Sequence, residues 1–125
     1  MGLLNGILGN ATERDLSSLQ EEFSLLLFDG EELECAYQLI RDKWVFTNKR
    51  LIMVFVQGVT GSKRTYHSIP YKSIVHFSIE TSGTFDMDCE MKIWLSGMSS
   101  PFVQEFGRKV DVKGIQRSLA SHVLL

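Results

Sequence analysis

Antiparallel β-structure is the fold class this sequence predicts: about seven short strands bracketed by helices. Three observations carry that expectation. Residues 33–56 hold three extended apolar runs, broken only by Arg41-Asp42-Lys43 and by Asn48-Lys49. Four further runs follow, separated by Gly-, Ser- and Pro-rich breaks. Apolar stripes at helical spacing lie before the first run and after the last. The last stripe needs a sheet to bury against, so a small sheet that curls and is plugged at one end by a helix meets every requirement.

The first ten residues place Leu3, Leu4, Ile7 and Leu8 on one helical face. Three glycines weaken this segment, each by up to about 1 kcal/mol relative to alanine. It therefore needs a surface to pack on: its own domain, a neighbouring subunit or a membrane. Gly2 suits a myristoylation signal, but Gly6 stands where Ser or Thr belongs. Thr12 with Asp15 resembles a capping box with Asp in place of Glu. Leu16, Leu19, Phe23 and Leu26 then recur at helical spacing, predicting an amphipathic helix over 13–28 that ends at Asp29-Gly30. Residues 1–28 are read as a helical arm and 29–125 as the β-domain.

Leu33, Cys35, Tyr37 and Leu39 alternate with Glu34, Ala36 and Gln38, the period of a half-buried strand. Residues 44–47 and 51–56 are aromatic and β-branched, which fits a pleated surface. Asn48 in the break between them tolerates positive φ, so a tight hairpin is expected there. Leu51, Met53 and Phe55 alternate with Ile52, Val54 and Val56, so this strand is apolar on both faces. Either the N-terminal helix or another copy must cover its outer face. Strands are predicted over 63–69, 73–80, 86–95 and 102–106, with Pro70 interrupting the ladder. Asp111 reads as the N-cap of a last helix whose apolar face is Val112, Ile115, Leu119 and Val123.

At 125 residues the chain suits one domain. Cys35 and Cys89 fall inside predicted strands and read as buried free thiols. The apolar start lacks a basic flank and a small-residue cleavage site, and no apolar run approaches the ~20 residues of a membrane span. A cytoplasmic location is the expectation. Charge is uneven along the chain. Residues 1–34 carry one basic residue against eight acidic ones, a net of −7. Residues 41–72 carry seven basic residues and only Asp42, a net of +6. Such a split serves contacts within the chain, contacts between copies, or an anionic partner.

Phe46 to Ile52, reading Phe-Thr-Asn-Lys-Arg-Leu-Ile, resembles the hairpin signature of bacterial pleckstrin-homology-like domains. The opening Met-Gly-Leu-Leu-Asn-Gly, Ser68-Ile69-Pro70-Tyr71-Lys72-Ser73-Ile74, Gly83-Thr84-Phe85-Asp86 and Lys92-Ile93-Trp94 are similar too. The resemblance implies a seven-stranded, partly open barrel or orthogonal sandwich capped by the C-terminal helix. It also implies a small cytoplasmic protein without catalytic residues, and ring-like or higher homo-oligomers. Eukaryotic pleckstrin-homology domains grip inositol phosphates with basic side chains around the first hairpin.

No catalytic pattern, cofactor motif or metal-ligand spacing stands out. His67, His76 and His122 are scattered, and Cys35 and Cys89 form no Cys-x-x-Cys unit. Asp86, Asp88 and Glu90 alternate on a predicted strand, but Met91 and Gly97 stand where a calcium loop needs Gly and Glu. The net charge of −2 and the lack of an aromatic-basic platform argue against nucleic acid. Two functions are carried forward. One is a non-enzymatic scaffold that binds protein partners and self-associates through Leu3, Leu4, Ile7, Leu8, Leu16, Leu19 and Phe23. The other is a membrane-surface module holding anionic lipid through Arg41, Lys43, Lys49, Arg50, Lys63 and Arg64. The turns bearing those cations lie at opposite ends of a meander, so the charges need not converge.

Overall fold

The computed structural model describes residues 13–39, 41–85 and 87–125, with side chains from 17 onward. The chain divides into two compact units, Met1–Ser68 and Ile69–Leu125. Seven strands form two antiparallel sheets followed by a C-terminal helix. The first sheet has the order β1 (Leu33–Gln38), β2 (Lys43–Thr47), β3 (Arg50–Gln57), β4 (Lys63–Pro70). The second has the order β5 (Ile74–Thr81), β6 (Cys89–Leu95), β7 (Phe102–Phe106). Each is an open sheet.

Helix α1 spans Glu13–Phe23, five residues shorter than its apolar spacing predicts. The N–H groups of Leu26 and Leu27 both return to the Phe23 carbonyl, at 2.9 and 3.1 Å, and close the helix in a turn. Leu26 stands exposed in that turn, so it continues the spacing without continuing the buried stripe. Leu19 and Phe23 are buried against Leu33, Ala36, Val45, Ile52 and Val54. The helix of the same chain thus covers one face of β3. Leu51 and Met53, on the other face, are buried too, as a strand apolar on both sides requires. Thr12, the expected cap, lies outside the described residues.

The β2–β3 hairpin forms without any positive φ at a non-glycine residue. Thr47 Oγ1 instead accepts the N–H groups of Lys49 and Arg50, at 3.0 and 2.9 Å. Asn48 contributes its amide rather than its backbone freedom. Its Oδ1 accepts from Glu32 N–H at 2.7 Å and its Nδ2 donates to the Gly30 carbonyl at 3.0 Å.

In the second unit a 3-10 turn at Tyr71–Ser73 follows Pro70 and leads into β5. Strand β6 starts at Cys89, three residues later than its alternation predicts. Met87 N–H bonds back to the Thr84 carbonyl, and the Ser82 N–H and hydroxyl both donate to the Asp88 carbonyl, so the preceding segment turns. Asp88 therefore lies outside the strand, and Asp86 lies outside the described residues. Helix α2 spans Val112–Val123, with Asp111 accepting the Gly114 N–H at 3.0 Å as its N-cap. Val112, Ile115 and Leu119 are buried, and His122 stacks on Tyr71 with ring centres 4.1 Å apart. Cys35 and Cys89 are buried, and neither is in a disulfide.

Candidate functional site

The six basic residues singled out in the sequence sort into two groups at opposite ends of the first sheet. At the β2–β3 hairpin, Arg50 is absorbed by the fold. Its Nε and Nη2 donate to the Glu31 carboxylate at 2.8 and 3.0 Å, a two-point clamp. Its remaining donors reach the Leu26 carbonyl and Ser68 Oγ, both at 2.9 Å. The Glu31 side chain is fully buried. Thr47 Oγ1 donates to it at 2.7 Å, and Phe28 N–H approaches at 3.4 Å. Burial alone would raise the Glu31 carboxyl. The hydrogen bonds from Arg50, Thr47 and Phe28, with the Arg50 charge, outweigh it and hold the pKa below the ordinary value. Thr47, Asn48 and Arg50 of the hairpin signature thus fasten the turn between α1 and β1 to the sheet. Lys49 stays exposed.

At the other end the chain bends between β1 and β2 and between β3 and β4. Arg41, Lys43 and Arg64 converge there on a recess of about 390 Å³, also lined by Gln38, Val59 and Thr60. Arg41 donates to the Gly58 carbonyl, which ties the two bends together. Gly58 and Gly61 take positive φ, and a Cβ on Gly61 would come within 3.2 Å of Val56 Cγ1. Lys63 is exposed on β4 beside this end.

Among the described residues one carboxylate pairs with these cations. Glu22, in the last turn of α1, lies 3.1 Å from Lys43 Nζ and 3.3 Å from Arg64 Nη1. Tyr66 donates its hydroxyl to Glu22 at 2.6 Å. Burial pushes the Glu22 carboxyl up, but Tyr66, Lys43 and the Arg64 charge bring it below the ordinary value. Tyr66 is raised by burial and by its bond to Glu22. Arg41, Lys43 and Arg64 outnumber Glu22 and Asp42, whose carboxylate accepts the Val56 N–H at 2.9 Å, and the recess stays open.

The sequence matches the bacterial PH domain family over residues 2–123. The chain belongs to that family. Its relatives include the uncharacterized protein YjqA of Bacillus subtilis, 48% identical over 97% of this chain and 98% of that protein. YozO of the same organism, also uncharacterized, is 34% identical over 82% of this chain and 88% of its own. A crystallised pleckstrin homology domain from Shewanella amazonensis is 55% identical, with a TM-score of 0.83 over 99% of this chain and all of that one.

In this PH domain two of the residues expected to mediate self-association have described side chains, Leu19 and Phe23. Leu19 and Phe23 are buried in their own unit. The Leu16 side chain and Leu3, Leu4, Ile7 and Leu8 lie outside the described residues. Two features escaped sequence reading. The first is Glu22, whose position one residue before Phe23 puts it at the edge of the buried stripe, facing Arg64 and Tyr66 at i and i+2 of β4. The second is the outward face of the second sheet. Register pairs His76 with Trp94, Ser78 with Lys92 and Glu80 with Glu90, then Glu90 with Glu105 and Lys92 with Val103. The intervening Cys89, Met91 and Ile93 are buried. Three carboxylates therefore stand in a row across β5, β6 and β7. Beside them lie a stacked His76–Trp94 pair with centres 4.3 Å apart, and Val103, which is 46% exposed. Alternation along each single strand hints at this face, but only the register aligns it. Among the described residues no helix is long and apolar enough to cross a membrane.

Proposed function

We propose that this PH domain is a non-catalytic, cytoplasmic scaffold that associates with copies of itself and with other proteins. The observation that carries the reading is the outward face of β5–β7. It offers Val103 beside the half-exposed His76–Trp94 stack, and Val75 stands 59% exposed at the β5 bulge. Apolar and aromatic groups left in water beside a polar rim mark interaction surfaces. Sedimentation equilibrium of the full chain tests it. Wild type is expected at a fixed multiple of the 14.2 kDa chain mass. Val103→Asp is expected to move toward one copy with its circular dichroism unchanged. A Val103→Asp variant with the mass of wild type would remove this face from the account.

The convergence of Arg41, Lys43 and Arg64 favours a second reading, an anionic headgroup held at a membrane surface. It predicts that the chain sediments with phosphatidylserine vesicles at low salt and that Arg41→Ala reduces this binding. No binding at low salt would end that reading.

A further inference from the structure

Strand β5 ends its sheet, with β6 on one side and, among the described residues, no strand on the other. Register tells which backbone groups that edge presents. Ser82 N–H reaches the Asp88 carbonyl at 3.3 Å, and the same register pairs Glu80 with Glu90 and Ser78 with Lys92. Hydrogen-bonded and non-bonded positions alternate along an antiparallel pair. Ser82, Glu80 and Ser78 therefore turn their N–H and C=O groups toward β6, while Thr81, Ile79 and Phe77 turn theirs to the edge. Edge strands are commonly blunted by lysine, proline or a bulge. The bulge of β5 lies between Ile74 and His76, and residues 77–81, Phe-Ser-Ile-Glu-Thr, are regular and hold neither lysine nor proline.

The side chains along this edge complete a groove. Phe77 and Ile79 pair with Ile93 and Met91, which are buried, so all four share the inward face. Phe77 and Ile79 are nonetheless only half-buried. With Phe85, which is 43% exposed, they line a recess of about 360 Å³ that Lys113 and Gln116 of α2 also line. Lys113 Nζ lies 5.9 Å from the centre of the Phe85 ring. Arg117 is exposed one turn further along the same side of the helix. Among the described residues neither cation has a salt-bridge partner. Unpaired strand edge, apolar recess and free positive charge thus lie side by side within one unit.

We infer that β5 receives an extended segment of a partner protein as a further strand, with an apolar side chain in the recess and an acidic one on Lys113. This names the partner for the protein-binding part of the reading above and rests on that part alone, at a surface separate from Val103. Main-chain bonds to an exposed edge supply affinity, and pockets for alternate side chains supply specificity. The cations of α2 select an acidic segment over a basic one. A small anion would engage Lys113 but leave the edge and the apolar recess unused.

Short random peptides displayed on phage and selected on the full chain supply the probe. Sequences that place an apolar residue near Asp or Glu are expected to be enriched. An enriched peptide, synthesised, is expected to bind wild type, and Lys113→Glu is expected to weaken it by about tenfold or more. That variant adds an acidic residue to the first turn of α2, where a helix favours one, so the fold is kept. Phe85→Ala, at an exposed ring, is expected to weaken binding too. Methylating alternate backbone nitrogens of the peptide tests the pairing on wild type itself: one set should abolish binding and the other leave it intact. Hydrogen exchange followed by NMR should show Phe77 and Ile79 N–H groups exchanging fast in the free chain and slowly with peptide. No enriched peptide, equal binding to both variants, or indifference to methylation would each overturn the inference. Slow exchange at Phe77 and Ile79 in the free chain would overturn it as well, by showing the edge already occupied by the chain or a second copy. The outward face stands or falls separately, by the sedimentation of Val103→Asp.

Discussion

The two ends of the first sheet hold similar residues and use them differently. At the β2–β3 hairpin, Glu31 is buried and Arg50 spends its donors on Glu31, Ser68 and the Leu26 carbonyl. At the opposite end Glu22 answers two of three converging cations, and the recess stays open. A count of basic residues cannot distinguish these cases. What decides between them is the carboxylate that α1 and its following turn deliver, and how far water is excluded around it. Burial makes the first pair a fastening of the fold. Exposure leaves the second group available to a partner.

The largest expected effect comes from breaking the closed end. Arg50→Ala would strand the Glu31 carboxylate, and losing one partner of a buried pair costs about 3 kcal/mol or more. Urea unfolding measures it; a loss under about 1 kcal/mol would mean that this end is as open as the other. Thr47→Val removes a donor to Glu31 and the acceptor of two turn N–H groups, for which a loss of about 1–3 kcal/mol is expected by the same method. At the open end Glu22→Gln is expected to cost about 1 kcal/mol or less, because Lys43 and Arg64 keep access to water. Lys49→Ala, on an exposed turn residue, should stay within about 0.5 kcal/mol.

Acid sharpens the same contrast. Both Glu22 and Glu31 have folded pKa values below their ordinary one. The unfolded chain therefore binds their protons first as pH falls. Their contribution is fully present above the ordinary carboxylate value and is lost as pH drops through it toward the folded values. Thermal melts from neutral pH down through the carboxylate range should show a plateau and then a decline, and Glu22→Gln should make the decline shallower. Stability that rises on acidification would reverse the sign and contradict the assignment.

Much of the fold could be read along the chain because alternation is a local property. Residues 33–56 announce three strands, and Asp111 with the Val112, Ile115 and Leu119 stripe announces the last helix. The early end of α1 was hidden: Leu26 continues the helical spacing, while the turn that excludes it is set by Arg50 taking its carbonyl from 24 residues away. The late start of β6 has the same origin in turn bonds between Ser82, Thr84, Met87 and Asp88. For the candidate site, the cations of the recess could be named in advance but their convergence could not. It depends on Arg64 returning beside Lys43 and on Glu22 arriving from α1. The acidic row is less visible still, since Glu80, Glu90 and Glu105 become neighbours only through strand register.

Association with copies of itself is the proposed mode of action of this PH domain. Light scattering of the full chain after size exclusion, over a wide range of dilution at about 0.1 M salt, tests it most directly. A single molar mass at a whole multiple of 14.2 kDa, unchanged by dilution, is the predicted result. The mass of one copy at every concentration would contradict it.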